Sequence, residues 1–365
     1  VERAGEESHR LGAGRVLIVC DEGIVAAELD RGVRATLEKE GIAYELCPDA
    51  QPEPPVKSAD AVVEMARAGK FDLVIGLGGG SAMDTAKLAA ALAVQEGSVA
   101  DFFGINLLSK KGLPTIMIPT TAGTGSEATP NAVFVDVDQN KKAVISPPLM
   151  PDSALVDPLL TLTAPPSLTA ATGMDALTHA MESYTAVKAT PHTRMYALEA
   201  IRLIGIHLRT AVWNGSDLEA REGMSRASFY AGVSLANAGV NAVHALAHTL
   251  GGFFKVPHGV ANALLLPHVI AFNMVSCPAR FAEMAYALGE KVAGLSVRAA
   301  AERCVEAVHQ LSLDVDIPQT MRELGVSEKD IPRMSQTAAE VTRLLENNPR
   351  RITAEDVEYI YRQAY

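Results

Sequence analysis

Short β-branched and aliphatic runs alternate with helical patterns over the first 160 or so residues: RVLIVCD, a helix from about 23 to 40, FDLVIGLGGG, a helix from about 82 to 95, and PTIMIPTT. Strands alternating with helices in this way predict a parallel βαβ sheet. VFVDVD and KKAVIS, within residues 133 to 146, predict a hairpin, and ALVDP at 154 to 158 one more short strand. After TLTAPPSLTAATG the pattern changes. The remaining residues, about 200 of them, carry Ala, Leu, Met and Glu at helical spacing, as in ARFAEMAYALGE and SVRAAAERCVEAVHQLS, with almost no strand-like alternation. Pro165 and Pro166 stand where a helix starts, a position proline tolerates. The expected organisation is an α/β domain over 1–163 and an all-helical domain over 164–365.

Composition narrows the class. A chain of 365 residues is long enough for two cores, and 48% hydrophobic with 21% charged residues is the make-up of a folded globular protein. A formal charge of -11 and a pI near 5.4 argue against nucleic acid as a partner, which calls for a clustered basic face. Cys20, Cys47, Cys277 and Cys304 lie far apart without a CxxC, fitting neither a disulfide scaffold nor a cysteine-rich zinc site, so a reducing cytoplasm is expected. No uninterrupted apolar run reaches about 18 residues and VERAGEESHR has no signal-like apolar stretch, so neither a membrane span nor export is expected. The first residue is not Met, so a trimmed start is expected.

Two glycine-bearing loops follow predicted strands. GLGGGSAMDTAK, residues 76 to 87, stands between a strand and a helix, where backbone amides and the helix N-terminus suit a pyrophosphate. It is not GxGxxG, and such turns often serve only tight geometry. PTTAGTGSE, residues 119 to 127, presents Thr120, Thr121, Thr124 and Ser126 after another apolar strand. Two such loops in one sheet point to a nucleotide bound beyond the strand ends. Asp21 closes the first strand, where a carboxylate either accepts from a ribose diol and repels a 2′-phosphate, favouring NAD over NADP, or merely caps the next helix.

Histidines gather in the second half. His244, His248 and His258 fall within VHALAHTLGGFFKVPHG, and ATGMDALTHAMES places Asp175 and His179 four apart on a predicted helix. A catalytic metal site takes three or four nitrogen or oxygen ligands and keeps one position open. Asp175, His179, His244, His248 and His258 are the candidates, and an unpaired carboxylate in so apolar a segment would be costly. Helical spacing does not say which histidines ligate; HALAH reads as a pair on one face. His192, His207 and His309 read as surface or packing residues, and His268 as either support for the site or packing.

These segments resemble the iron-containing (group III) alcohol dehydrogenase family. The matching blocks are VLIVCDEGI, GLGGGSAMDTAK, IPTTAGTGSEAT, APPSLTAATGMDALTHAMESY and HALAHTLGGFFKVPHGVANALLLPHV, which are specific together and span nearly the whole chain. The resemblance implies a Rossmann-like, dinucleotide-binding α/β domain and an all-α metal-binding catalytic domain, the dehydroquinate synthase-like fold. It implies Asp175, His179, His244 and His258 as metal ligands and His248 as a catalytic histidine facing the substrate. For NAD it implies Asp21, the loop Gly78, Gly79, Gly80 and Ser81, then Thr120 and Thr121, with Thr129, Lys142 and Leu160 as further contacts. Two departures stand out: Glu53-Pro54 replaces the family's usual Asn-Pro, and the family's first N-terminal strand is expected to be missing or truncated.

The reaction so implied is reversible hydride transfer between NAD(H) and a primary or small secondary alcohol. Three neutral imidazoles and one carboxylate leave a divalent metal with roughly one net positive charge, which favours loss of the alcohol's proton near neutral pH. Fe(II) is the implied metal; Zn(II) or another divalent ion also suits mixed N/O ligation. A small alcohol or aldehyde is the expected partner, with no nucleic acid and no membrane, in a homo-oligomer that is a dimer or larger. Alternatives are a dehydroquinate synthase-like metal lyase, a maleylacetate reductase-like enzyme, and a non-catalytic NAD- or metal-binding protein. The lyase requires a basic cluster for an anionic substrate, whereas LGGFF beside the histidines suits a neutral alcohol.

Overall fold

The computed structural model describes residues 1–137 and 141–365. The chain divides into two compact units, Val1–Thr121 with Gly125–Thr163, and Ala122–Thr124 with Ala164–Tyr365.

The first unit is built on β1 (Arg15–Val19), β2 (Ala43–Cys47), β3 (Leu73–Gly78), β5 (Thr115–Pro119) and β8 (Ser153–Ala154), all parallel in the order β2-β1-β3-β5-β8. Every residue of β3 and β5 is buried, which is why their sequences are continuous apolar runs rather than alternating ones. Side chains alternate between two cores. Leu17, Val19, Val74 and Met117 meet Val62, Val63, Ala86 and Leu88, which come from α4 (Val56–Ala68) and α5 (Gly80–Leu92). Val16, Ile18, Ile75 and Ile116 share the other core with Ala4 of α1 (Ala4–Arg10), Ile24 of α2 (Glu22–Ala26), and Val33 and Leu37 of α3 (Arg31–Lys39). A second small sheet orders β4 (Gly104–Ile105), β7 (Lys141–Ile145) and β6 (Asn131–Val135), with β6 and β7 antiparallel. The turn of the expected hairpin lies outside the described residues.

Two sequence expectations change here. The helix predicted over 23 to 40 is two, because Glu28 adopts φ 59 and closes α2 with Leu29 N–H on the Ile24 carbonyl (3.1 Å) and Glu28 N–H on that of Val25 (3.0 Å). The strand at ALVDP keeps only Ser153–Ala154, because Asp157 caps a 3₁₀ turn over Pro158–Thr161 by accepting from Leu159 N–H at 3.0 Å.

Charge is buried in this unit where α5 meets the end of the second glycine-bearing loop. Lys87 Nζ is 3.0 Å from Asp84 Oδ1 and donates to the carbonyls of Ser126 (3.1 Å), Thr129 (3.4 Å) and Asn131. Asp84 also accepts from Ser126 Oγ at 2.6 Å and Val133 N–H at 2.9 Å. One i,i+3 pair on α5 thereby fixes a loop that has little apolar surface of its own. Beside it Glu127 is buried, one carboxyl oxygen has no hydrogen-bond partner among the described residues, and burial pushes its pKa up to about 7.

The second unit is helical: α6 (Pro166–Thr185), α7 (Pro191–Trp213), α8 (Leu218–Ala238), α9 (Ala242–Phe254), α10 (His258–Asn273), α11 (Pro278–Ala287), α12 (Val297–Asp314), α13 (Ile331–Ala339), α14 (Thr342–Leu345) and α15 (Ala354–Gln363). One continuous core joins Met174, Leu177, Ile201, Leu246, Leu265, Phe281, Val308 and Tyr361. α10, with the turn after it, is long and apolar enough to cross a membrane by length and composition, but it is mostly buried in this core.

Two stability outcomes follow from the buried charges. Lys87→Met strands Asp84 and three carbonyls, so equilibrium denaturation should show a loss of about 3 kcal/mol or more. Glu127 holds its proton in the folded chain up to about pH 7 but releases it near the ordinary 4.5 when unfolded, so it subtracts stability as pH rises through that window. Glu127→Gln should therefore be more stable than wild type at pH 8, by on the order of 2 kcal/mol, with the gain vanishing below about pH 4.5 in thermal melts.

Candidate metal centre and nucleotide loops

Pro165 precedes α6 in extended conformation and Pro166 occupies its first turn, which sets where the helix begins. Asp175, His179 and Glu182 then fall at i, i+4 and i+7, on one face. All are buried, at 2%, 6% and 2% exposure. Ionisable groups in such a place need partners, and α9 and α10 bring them.

His179 Nδ1 lies 3.2 Å from the Gly123 carbonyl oxygen, which accepts only, so Nδ1 carries the proton and Nε2 its lone pair. That Nε2 is 3.0 Å from Nε2 of His244, and the two rings stack at 4.7 Å between centroids. His244 turns its other nitrogen, Nδ1, to Glu182 Oε2 at 2.5 Å. Burial pushes the Glu182 carboxyl up to about 7, against the opposing pull of hydrogen bonds from the Asn241 and Val243 segment.

α9 ends on Lys255, left-handed at φ 53 with its N–H on the Gly251 carbonyl at 2.8 Å, and α10 begins at His258. A Cβ on Gly259 would stand 2.5 Å from the Ala171 carbonyl oxygen, so glycine is required for the start of α10 to lie this close to α6. His258 Nε2 is thereby 3.8 Å from Asp175 Oδ1, and His244 Nε2 is 4.0 Å from the same oxygen. The ligand atoms of Asp175, His244 and His258 lie within 4.8 Å of one another. Asn262, one turn into α10, donates to Asp175 Oδ1 at 2.6 Å and lies 3.2 and 3.1 Å from the Nε2 atoms of His244 and His258.

This donor set fits a divalent cation. Two imidazole lone pairs facing each other at 3.0 Å beside a carboxylate repel unless a positive centre is shared between them. His248 is placed differently: its ring stacks on His258 at 5.4 Å and lies edge-on to His244 at 6.0 Å, and it is only half-buried. His192 and His309 are exposed, and His207 packs on Gly223. His268 is held well below the ordinary imidazole range, at about 4, chiefly by burial.

The nucleotide candidates in the first unit gather at the ends of parallel, neighbouring strands. Thr120 N–H donates to the Gly78 carbonyl at 2.9 Å, and a Cβ on Gly79 would be 3.6 Å from Thr121 Oγ1, so the two loops meet. Gly78, at φ 147, takes a conformation side chains rarely allow, and a Cβ there would be 2.9 Å from that of Ala82 and 3.5 Å from Asp21 Oδ2. Gly80 and Ser81 open α5. Asp21 does cap α2, accepting from Ile24 N–H at 3.1 Å, yet stays partly exposed beside Gly78. Ser81 Oγ accepts from Glu53 N–H at 3.2 Å, and Glu53, left-handed at φ 48, pairs with Lys141 at 2.6 Å. The Glu-Pro departure thus ties its segment to both α5 and β7.

The remaining three are on other segments. Thr129 is buried, with its hydroxyl donating to the Ser126 carbonyl at 3.4 Å; Lys142 is exposed on β7; Leu160 is buried in the core that contains Ile24. Sequence reasoning missed Glu182 and Asn262. Their signal was present: each is a lone polar residue at helical spacing from a candidate ligand, three after His179 and four after His258.

The chain is similar to known proteins over nearly its whole length. Residues 1–158 match the profile described as iron-containing alcohol dehydrogenase, and residues 169–365 that of the Fe-containing alcohol dehydrogenase family, C-terminal. Long-chain-alcohol dehydrogenase 1 of Geobacillus thermodenitrificans (strain NG80-2) is 46% identical over 98% of this chain and 91% of its own length. NAD-dependent methanol dehydrogenase of Bacillus methanolicus is 40% identical over 100% of this chain and 96% of its own. The crystal structure of a 1,3-propanediol oxidoreductase superposes with a TM-score of 0.97 at 39% identity, covering 100% of this chain and 95% of that one.

Proposed function

The chain belongs to the iron-containing alcohol dehydrogenase family, and from that premise we propose which residues perform the NAD-dependent oxidation of alcohols and reduction of aldehydes. Asp175, His179, His244 and His258 hold a divalent iron in the helical domain, residues 164–365, and the loops of residues 1–163 hold NAD. The observation that carries this reading is the convergence of one carboxylate and the imidazoles of three separate helices on one small volume. When bound, the iron would supply Lewis acidity toward the alcohol oxygen and the nicotinamide would supply the hydride acceptor.

The chain's own residues do the rest. The Gly123 carbonyl sets the tautomer of His179, so that it presents Nε2 inward. Asp175 is steadied by Asn262 and supplies the one negative charge of the set. His248, half-buried and stacked on His258, orients the substrate and passes its proton toward water. In the first unit, the first turn of α5 offers backbone N–H groups to the pyrophosphate, with Asp21 beside it for the ribose diol.

A primary alcohol or its aldehyde is the substrate class, in keeping with relatives named for long-chain alcohols and for methanol. Those relatives are dehydrogenases, which disfavours the lyase and maleylacetate reductase readings. Four free cysteines, three of them buried, suit a reducing cytoplasm. Exposed Met195, Ile206 and Trp213 share one face of α7 and support a homo-oligomer, measurable by light scattering.

The roles of the two HALAH histidines separate in one experiment. His248→Ala should keep its metal and lose about 100-fold in kcat, followed by NADH absorbance with a panel of primary alcohols. His258→Ala should instead lose the metal, measured by elemental analysis after anaerobic purification. Equal loss of metal in both variants would restore HALAH as a ligand pair.

A further inference from the structure

Glu182 is not itself a proposed ligand, yet three separate interactions converge on it, one of them with the ligand His244. Its Oε1 accepts from Val243 N–H at 2.6 Å, its Oε2 lies 2.5 Å from His244 Nδ1, and its backbone carbonyl accepts from Asn241 Nδ2 at 3.0 Å. The first turn of a helix has N–H groups with no partner inside the helix, and its end carries partial positive charge. At α9 the Asn241 side chain accepts from Ala242 N–H at 2.8 Å, and the Glu182 carboxylate, reaching across from α6, takes the next. The same carboxylate then faces the imidazole of the very next residue, His244.

We propose that Glu182 is a positioning residue for the metal centre: by accepting from Val243 N–H and His244 Nδ1–H together, it docks α9 on α6 and locks His244 in the tautomer that ligates through Nε2. An imidazole has one proton when neutral, so a fixed acceptor at Nδ1 keeps the lone pair at Nε2 and makes that nitrogen more basic. The carboxylate suits both tasks because each of its oxygens only accepts. A glutamine of the same shape does not, since its NH2 must face either the Val243 N–H or His244 Nδ1. Turned toward Nδ1, that NH2 donates and drives the imidazole proton to Nε2. The glutamate thus acts through hydrogen-bond polarity as well as charge.

This inference rests on His244 being a ligand, so the test carries its own control. Zinc is titrated into the full-length metal-free chain against a chelating dye, for wild type, Glu182→Gln and His244→Ala. Glu182→Gln should bind zinc about 10- to 100-fold more weakly while still folded by circular dichroism and still binding NADH. In the zinc-loaded wild type, proton NMR should show a far-downfield His244 Nδ1–H resonance that is absent from His244→Ala and moves upfield in Glu182→Gln. Zinc binding by Glu182→Gln as tight as wild type, with that resonance unmoved, overturns the proposal. If Glu182→Gln does not fold, the wild-type spectrum decides, because the absence of the downfield resonance overturns it equally. Undiminished zinc binding by His244→Ala is a different failure and sinks the ligand assignment itself.

Discussion

Asp175, His179 and Glu182 are buried on one face of a helix with no other acidic or basic residue, and each ionisable group there costs several kcal/mol unless it is paired. That requirement shapes the helices around it. α9 has to present its N-terminus to Glu182, and α10 has to start beside Asp175. The close approach at Gly259, the left-handed Lys255 and the side chain of Asn241 at the head of α9 are local solutions to it. Asn241 is a residue type that favours this cap, but the close approach at Gly259 does not follow from helix propensity and the left-handed Lys255 runs against it.

The first unit uses buried charge in the same way for a different purpose. A strand-to-helix turn rich in glycine can bring amides close to an anion only because it lacks side chains, and for the same reason it cannot pack itself in place. Lys87 and Asp84 take over that task for the second loop, reaching carbonyls, a hydroxyl and a backbone N–H across 39 to 49 residues of sequence. α5 accordingly joins two features: its first turn carries the loop residues Gly80 and Ser81, and its second holds the neighbouring loop by a charge out of water. Glu53 adds a third tie through Ser81.

Periodicity was enough to read the βαβ order and the helical second half, because buried parallel strands and amphipathic helices leave continuous runs and 3.6-residue patterns; the family came from the resemblance of particular blocks such as GLGGGSAMDTAK. Where a single backbone angle decides, it was not. Glu28 splits one predicted helix into α2 and α3, and nothing in AELDRG announces a left-handed glutamate. The five metal-site candidates stood out as types, since histidines and an aspartate in apolar helices are conspicuous. Glu182 and Asn262 did not, because a single Glu or Asn on a helix is ordinary until a partner some sixty to ninety residues away is known. Legibility ends at contacts that pair distant segments.

The fate of the HxxxH pair shows what such contacts decide. Residues four apart on a helix share a face, but two imidazoles can hold one ion only if both ring nitrogens converge on it. In α9 they do not. Glu182 captures Nδ1 of His244 and turns its Nε2 toward His179, with the rings 4.7 Å apart, whereas His248 lies edge-on at 6.0 Å and stacks instead on His258. A helix offers its neighbours a face; a hydrogen bond from another helix chooses which atom on that face points where. The same carboxylate that satisfies the end of α9 therefore also fixes the ring of His244 within the buried cluster, while His248, one turn on, stays half-buried against His258.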